Sequence, residues 1–202
     1  MRILKATANN VLAASQTVKN GGLVVYPTDT VYGLGCDPFN VDAVKRVFGV
    51  KRERKKPLPI LSCCLPDLEK IVYLSEKAKK LAERFWPGSL TLVVPKKPVL
   101  PDIVTCNLDS VGVRIPKHEI ALQLICQSGG LLIGTSANKT GKEPPQTAHE
   151  AAEQLGREVD IILDGGPTPV GASSTVVDLT AKKMKILREG PISLQQILDA
   201  LS

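Results

Sequence analysis

The chain has 202 residues and a mass of 21.7 kDa, and its 43% apolar and 23% charged residues exclude a chain disordered by composition. Its 26 basic and 20 acidic residues give a net charge of +6. Residues 45–56 alone hold seven bases and one acid, which excludes a surface coated with positive charge and points to one anion-facing segment.

Helices and strands are predicted to alternate along a single domain, residues 1–202. The predicted helices cover residues 7–19, 41–49, 76–85, 118–127, 148–155 and 194–201. The predicted strands cover residues 23–26, 57–62, 90–94, 111–115, 131–135, 159–163, 175–178 and 184–187. Side chains typical of helix N-caps precede four of the helices: Asn40, Ser75, Thr147 and Ser193. Two pairs of consecutive strands have no helix between them, so the sequence predicts an α/β fold with a twisted, open, mixed sheet and helices packed on it.

Membrane, secreted and zinc-binding proteins are not expected. The first residues carry no apolar signal segment, and the longest uncharged stretch, residues 121–138, is interrupted by polar residues and glycines. The five cysteines form no C-x-x-C pair, and the chain has two histidines. We therefore expect reduced cysteines and a cytoplasmic protein.

Four polar loops adjoin predicted strands, at residues 26–35, 51–59, 134–141 and 164–175. Strand ends are where ligands bind in open α/β sheets, so these loops are candidates for one binding site. Arg188 ends a further strand and belongs either to this site or to a surface salt bridge. The alternative for the loops is a set of turns whose Asp, Thr and Asn side chains bond their own backbone.

The basic loop is open to three interpretations: a solvated loop, a patch for RNA phosphates, or a site for a compact polyanion such as a nucleoside triphosphate. It has no interleaved aromatic residues, so stacking of bases on it is not supported. The P-loop, G-x-G-x-x-G and G-x-S-x-G motifs are absent from the sequence. An enzyme of this kind would work by positioning its reactants and neutralising charge.

Taken together, the loops resemble the signatures of the YrdC family. Residues 26–34 (YPTDTVYGL) resemble its opening signature, and residues 110–118, 135–141, 174–178 and 187–190 resemble later ones in the family's order. The resemblance implies the YrdC-like fold in its short, single-domain form.

The activity that the resemblance implies is threonylcarbamoyl-AMP synthesis. L-threonine, bicarbonate or CO2, and ATP with Mg2+ would give the adenylate and pyrophosphate. A partner threonylcarbamoyl transferase would then act on tRNA, giving threonylcarbamoyladenosine (t6A). Direct binding of tRNA or double-stranded RNA is a further expectation, with Lys45 and Lys55 as contributors.

The resemblance also implies site residues. It assigns threonine binding to Thr30, Arg114 and Ser174, with the threonine carboxylate on Arg114. It assigns ATP contacts to Arg52, Lys56, Ser110, Ser136, Pro144 and Arg188. The synthases of the family share a catalytic tetrad, which here is Lys51, Arg52, Ser136 and Asn138.

Two departures from the family pattern leave alternatives. The family's Lys-x-Arg spacing is shifted by one residue, so its arginine is Arg52 or, alternatively, Arg54. Leu61 occupies a position where the family often has a histidine that contacts threonine. No protein ligand for Mg2+ is predicted, although Asp29 is the nearby acid.

Two other functions remain open from the sequence. The first is a non-catalytic RNA-binding protein that uses the basic loop. The second is a carbamoyl-adenylate-forming domain that uses carbamoyl phosphate, as in hydrogenase maturation proteins with a YrdC-like domain.

Overall fold

The computed structural model of the chain describes residues 2–52 and 56–202. Within these residues the α-helices are α1 (Ala8–Lys19), α2 (Val41–Lys51), α3 (Leu65–Glu69), α4 (Glu76–Phe85), α5 (Asp102–Thr105), α6 (Glu119–Gln127), α7 (Ala148–Leu155) and α8 (Leu194–Asp199). The strands are β1 (Arg2–Lys5), β2 (Val24–Tyr26), β3 (Gly33–Gly35), β4 (Ile60–Ser62), β5 (Leu90–Pro95), β6 (Ser110–Arg114), β7 (Leu131–Ile133), β8 (Thr135–Ser136), β9 (Ile161–Asp164), β10 (Thr175–Asp178) and β11 (Lys185–Arg188). A 3-10 turn, Gly156–Glu158, follows α7.

The strands form two mixed sheets. This confirms the predicted α/β fold with mixed strand directions, but the strands belong to two sheets and not to one. One sheet has the order β1-β9-β2-β3-β8, and the other has the order β11-β10-β5-β6-β4-β7. The two strand pairs predicted without an intervening helix, β5 with β6 and β10 with β11, are antiparallel, as the mixed-sheet prediction requires. The short helix α5, which is not among the predicted helices, lies between β5 and β6.

A hydrophobic core joins the two sheets. Its largest cluster takes Val25 and Leu34 from the five-stranded sheet and Leu92 and Val113 from the six-stranded sheet, all fully buried. A second cluster lies where α1 packs against α6. Burial of this apolar surface fixes the sheets against each other and thereby positions the loops at their strand ends.

The four predicted N-caps are confirmed. The side chains of Asn40, Ser75, Thr147 and Ser193 each accept a hydrogen bond from a backbone N–H three residues later. His118 lies at the N-cap of α6, but its side chain makes no capping bond.

The expectation that all cysteines are reduced is wrong for one pair. Cys63 and Cys126 form a disulfide with their Cα atoms 5.6 Å apart, within the range that a disulfide spans. Cys63 directly follows β4, and Cys126 lies on α6, which packs against β4. The tertiary contact between helix and strand therefore brings together two cysteines that are 63 residues apart in sequence.

No helix in the described part of the chain has both the length and the apolar character that a membrane span requires.

Candidate active site

A cavity of about 640 Å3 is lined by residues of both sheets. The six-stranded sheet contributes residues of β4, β5, β6 and β10, and the five-stranded sheet contributes residues of β3 and β8 with the loop before β3. Three of the four predicted loops, those at 26–35, 51–59 and 134–141, supply residues to the cavity, and the end of the fourth reaches it through Ser173 and Ser174. The volume is that of a small-molecule binding site.

Strand β6 forms the floor of the cavity. Ser110, Val111, Gly112 and Arg114 line the cavity. Ser110, Gly112 and Arg114 share one face of the strand, because side chains along a strand point alternately to opposite faces. A Cβ atom on Gly112 would lie 3.2 Å from Thr91 Cγ2 on the neighbouring strand. Because Gly112 has no side chain, the space between the hydroxyl of Ser110 and the guanidinium of Arg114 stays open.

Arg114 is a buried cation of the cavity, with 5% of its surface exposed. Its Nη1 donates to Thr30 Oγ1 at 2.9 Å, and its Nε donates to the carbonyl oxygen of Gly88 at 2.7 Å. Burial lowers the pKa of Arg114, whereas the negative charge of Asp29 raises it. The guanidinium stays protonated, and it can receive a carboxylate.

Thr28 and Thr30 form the hydroxyl side of the site. Thr28 Oγ1 accepts from the backbone N–H of Thr30 at 3.1 Å and donates to the carbonyl oxygen of Val31 at 2.7 Å. The two threonine hydroxyls lie 3.0 Å apart. The loop is therefore a self-bonded turn that also places Thr30 beside Arg114, and its binding role stays a prediction.

Asp29, the acid of this loop, is held against Arg114. Its carboxylate accepts from Arg114 Nη2 at 2.5 Å, from the backbone N–H of Lys117 at 3.0 Å and from Ser89 Oγ at 2.9 Å. It is 5% exposed and is not among the residues that line the cavity. Asp29 is therefore the buried counter-ion of Arg114, and it does not face the cavity.

The segment before β5 also holds Arg114 and was not singled out by its sequence. Gly88 supplies a carbonyl oxygen to Arg114, and Ser89 supplies a hydroxyl to Asp29. A side chain on Gly88 would collide with the carbonyl oxygen of Phe85. The two residues that precede β5 thus bond to both members of the buried ion pair.

Ser174 is tied to Arg188. Arg188 donates from Nη2 to Ser174 Oγ at 3.0 Å and from Nε to the Ser174 carbonyl oxygen at 2.9 Å. Ser174 Oγ also lies 2.8 Å from Thr91 Oγ1. Partial burial lowers the pKa of Arg188, and the nearby positive charge of Arg114 lowers it further. Arg188 therefore belongs to the cavity, where its charge adds to that of Arg114.

Three members of the predicted tetrad lie together. Lys51 Nζ donates to the carbonyl oxygens of Ser136 and Asn138 at 2.7 and 3.0 Å. Ser136 Oγ donates to Asn138 Oδ1 at 2.5 Å. Lys51 at the end of α2 thus fixes the loop after β8, and all three residues line the cavity.

Of the predicted ATP contacts, some line the cavity and others do not. Lys56, Ser110, Ser136 and Arg188 line the cavity. Arg52 and Pro144 are described but are not among its lining residues; Arg52 is exposed, in a left-handed conformation with φ of 53°, at the end of α2. Their roles stay predictions, and Arg54, the alternative to Arg52, lies outside the described residues.

Leu61 lines the cavity and is 4% exposed. It is the register partner of Arg114 in the parallel pair of β4 and β6. An apolar side chain therefore borders Arg114 at the position where a histidine was considered.

The described bases of the basic segment, residues 45–56, do not all face the cavity. Lys45 pairs with Asp42 at 3.0 Å, and Arg46 pairs with Asp160 at 2.9 Å. Of its described bases, Lys51 and Lys56 line the cavity. The interpretation of the whole +6 segment as a triphosphate-facing surface is thus too broad.

The charge of the cavity is nevertheless positive. Among its lining residues the bases are Lys51, Lys56, Arg114 and Arg188, and the acid is Asp178. This excess suits an anionic ligand, and arginine and lysine are the side chains that bind carboxylate and phosphate groups.

One group of described residues could bring three metal-ligating atoms together, Cys63, Cys64 and Asp67. Cys63 is in the disulfide, and Asp67 pairs with Lys70 at 2.7 Å. Two sulfur atoms do not suit Mg2+, which prefers oxygen ligands.

Comparison with known proteins gives consistent matches. The model of the Sua5_yciO_yrdC family, described as "Telomere recombination", matches residues 16–190. The threonylcarbamoyl-AMP synthase of Pyrococcus abyssi is 45% identical over 186 residues, which are 91% of this chain and 55% of that protein. The threonylcarbamoyl-AMP synthase of Idiomarina loihiensis is 37% identical over 158 residues, which are 75% of this chain and 83% of that protein.

A solved structure has the same fold. The crystal structure of P. abyssi Sua5 complexed with L-threonine aligns with a TM-score of 0.97 and 40% identity, covering 100% of this chain and 61% of that one. The chain thus spans between half and two thirds of the P. abyssi protein and most of the I. loihiensis protein.

Proposed function

The chain belongs to the Sua5/YciO/YrdC family, and on that premise we propose that it is a threonylcarbamoyl-AMP synthase. The substrates are L-threonine, bicarbonate or CO2, and ATP, and the products are threonylcarbamoyl-AMP and pyrophosphate. The names of two relatives and the threonine bound to P. abyssi Sua5 support this assignment.

The observation that carries the proposal is the make-up of one cavity. A buried guanidinium, that of Arg114, donates to the hydroxyl of Thr30. Further bases, Lys56 and Arg188, line the same cavity together with Ser174. The first group suits the carboxylate of an amino acid, and the others suit the phosphates of a nucleotide. An enzyme that joins an amino acid to a nucleotide needs both in one cavity.

The chemistry proceeds in two steps. The threonine amine attacks bicarbonate or CO2 and gives a carbamate, with loss of water from bicarbonate. A carbamate oxygen then attacks the α-phosphorus of ATP, the bond to the β-phosphate oxygen breaks, and pyrophosphate leaves with its negative charge. In this scheme Arg114 and Thr30 hold the threonine, so that the amine is oriented for reaction.

The remaining residues act on ATP. Lys56, Ser110, Ser136 and Arg188 contact it, and the bases neutralise the charge that develops on the phosphates; one such contact contributes about 2–4 kcal/mol in a transition state. Lys51 and Asn138 act by fixing Ser136 and the loop that follows it. Arg52 and Pro144 are proposed to complete the ATP contacts.

Magnesium fits this site only as an ion carried by the nucleotide. Among the residues that line the cavity, Asp178 is the one carboxylate, and its Oδ1 already accepts two hydrogen bonds from Thr180. Mg2+ commonly takes one or two carboxylates together with substrate phosphates and water. Asp178 is therefore the residue that would hold it, and the ion would supply charge neutralisation at the phosphates.

The product implies a partner. A carbamoyl adenylate is a mixed anhydride that hydrolyses readily, so a threonylcarbamoyl transferase that acts on tRNA must consume it, giving t6A. This role would place the protein in the cytoplasm, where tRNA is modified. Direct contact of the chain with tRNA remains a prediction, to which the exposed Lys45 could contribute.

The test is release of pyrophosphate from ATP by the purified chain. The proposal requires that release depend on both threonine and bicarbonate, and that serine or carbamoyl phosphate not replace them efficiently. Release driven by carbamoyl phosphate without threonine would favour the carbamoyl-adenylate alternative. Steeply salt-dependent RNA binding with no pyrophosphate release would favour the RNA-binding alternative.

A further inference from the structure

The hydrogen bonds of Arg114 divide its five N–H groups into two sets. An arginine carries five donors in a rigid fork. Arg114 gives one to Gly88, one to Thr30 and one to Asp29 among the described residues. Two N–H groups therefore remain for a ligand, which is the number that a carboxylate accepts in a two-point contact.

The orientation of those two N–H groups depends on what holds the other three. Gly88 and Thr30 each offer one neutral acceptor, whereas Asp29 offers the charged one and the shortest contact, 2.5 Å. Asp29 is itself held at both oxygens. The backbone N–H of Lys117 donates to Oδ1, and the hydroxyl of Ser89 donates to Oδ2. The carboxylate therefore has a fixed orientation before any ligand arrives.

We propose that Asp29 is a positioning residue, which fixes the plane of the Arg114 guanidinium so that its two remaining N–H groups face the substrate carboxylate. This inference rests on the proposed function, since it takes an amino acid as the ligand of Arg114. Asp29 does not line the cavity, so it acts through Arg114 and not by contact with the substrate.

Positioning and charge compensation predict opposite effects. If Asp29 only balanced the charge of Arg114, its removal would leave the cavity more positive and would strengthen binding of a carboxylate. If Asp29 orients Arg114, its removal lets the guanidinium turn and weakens binding, because small misplacements of a binding group are costly. The sign of the change therefore separates the two roles.

The contacts of Asp29 also define a conservative variant. Two donors meet Oδ1, and the single partner of Oδ2 is a hydroxyl that can accept as well as donate. The amide of Asp29→Asn can thus accept from Arg114 and Lys117 and donate to Ser89. Asp29→Ala loses all three contacts, so alanine and asparagine remove the same charge but differ in geometry.

A matched control lies outside the cavity. Asp160 Oδ2 accepts from Arg46 Nη2 at 2.9 Å and from the backbone N–H of Leu23 at 2.7 Å. Like Asp29, Asp160 thus accepts from an arginine and from a backbone amide. Neither Asp160 nor these two partners line the cavity. The Asp160 side chain is more exposed than that of Asp29, so Asp160→Ala controls for loss of an arginine-paired carboxylate outside the cavity.

The experiment measures KM for threonine, KM for ATP and kcat by pyrophosphate release, with threonine binding by calorimetry in the presence of a non-hydrolysable ATP analogue. We expect Asp29→Ala to raise KM and Kd for threonine by about tenfold or more, with KM for ATP within about twofold of wild type. Asp29→Asn should restore threonine affinity to within about threefold of wild type. Asp160→Ala should leave both affinities unchanged.

Three results would overturn the inference. Asp29→Ala could bind threonine as tightly as wild type or more tightly, or Asp29→Ala and Asp29→Asn could have the same affinity for threonine. The third result is a KM for ATP that rises in parallel with the KM for threonine. If Asp29→Ala does not fold, Ser89→Ala decides, since it removes one support of Asp29. We expect a rise of about threefold in its Kd for threonine, and no rise would contradict the inference. Failure of the wild-type chain to bind threonine would instead overturn the proposed function and this inference with it.

Discussion

The disulfide between Cys63 and Cys126 closes a loop of 63 residues that includes β5 and β6, the two middle strands of the six-stranded sheet. In the chain-entropy account, a cross-link stabilises a protein by restricting its unfolded state, and the effect grows with the logarithm of loop length. For a loop of this length the account gives about 4 kcal/mol at 25 °C. Because small domains are stable by only about 5–15 kcal/mol, Cys126→Ser should lower the free energy of unfolding by a large share.

The assay is equilibrium unfolding in urea of the wild-type chain and of Cys126→Ser, each with and without a reducing agent. Cys64→Ser is the matched control, because Cys64 adjoins the disulfide, and its thiol donates to Asp67 Oδ2 at 3.2 Å, which a serine hydroxyl can replace. The reducing agent should destabilise wild type and Cys64→Ser to the level of Cys126→Ser. A difference below about 1 kcal/mol between oxidised wild type and Cys126→Ser would refute the reasoning. So would five reactive thiols in the unfolded, unreduced chain, where the structure requires three.

Three further predictions concern single side chains. Arg114→Lys keeps the charge beside Asp29 but loses the planar guanidinium with its two-point contact. In the pyrophosphate assay, KM for threonine should therefore rise about tenfold or more. Arg46→Lys, outside the cavity, should leave this KM unchanged. Lys51→Met leaves two backbone carbonyl groups without their ammonium donor. The free energy of unfolding, measured in urea, should therefore fall by about 1–3 kcal/mol, and KM for ATP should rise. A variant with the stability and the KM of wild type would contradict the role given to Lys51. Burial lowers the pKa of His118 in the folded chain below its usual 6.5, so the unfolded chain binds the proton first, and stability should fall as the pH drops from about 6.5 through the folded pKa. That slope should be smaller in His118→Gln, and an identical slope in unfolding experiments from pH 7.5 to 5 would contradict the assignment.

The elements that the sequence predicts well are those with local signals. Helix α4 is bounded by the hydroxyl of Ser75 and by Pro87, and it was predicted with its observed bounds, Glu76–Phe85. Strand β10 was likewise predicted over its observed range, Thr175–Asp178, because two β-branched valines follow a threonine in a short buried run.

The elements that it does not predict depend on distant partners. Strand β3 is Gly33–Gly35, and glycine has little tendency to form strands, so only pairing with β2 and β8 makes this segment extended. Strand β1 was missed because its partner, β9, lies about 160 residues later in the chain. Helix α3 begins Leu65-Pro66, which reads as a turn.

The same division holds for the site. Motif resemblance located Thr30, Arg114 and Ser174 in one cavity, although single residues carry no information on how they are held. Asp29 reads as a turn residue or a metal ligand until the fold brings Arg114 to it from 85 residues away. Pairing of Cys63 with Cys126 is likewise a tertiary contact, which composition and spacing do not reveal.

The most direct measurement of the proposed function is the identity of the product. The purified chain would be incubated with ATP, Mg2+, threonine and 13C-labelled bicarbonate, and the mixture analysed at once by mass spectrometry. The account predicts threonylcarbamoyl-AMP that contains one 13C atom, formed in step with pyrophosphate and lost when threonine is omitted. Pyrophosphate or AMP without a 13C-labelled adenylate, or an unlabelled product that forms only with carbamoyl phosphate, would contradict it.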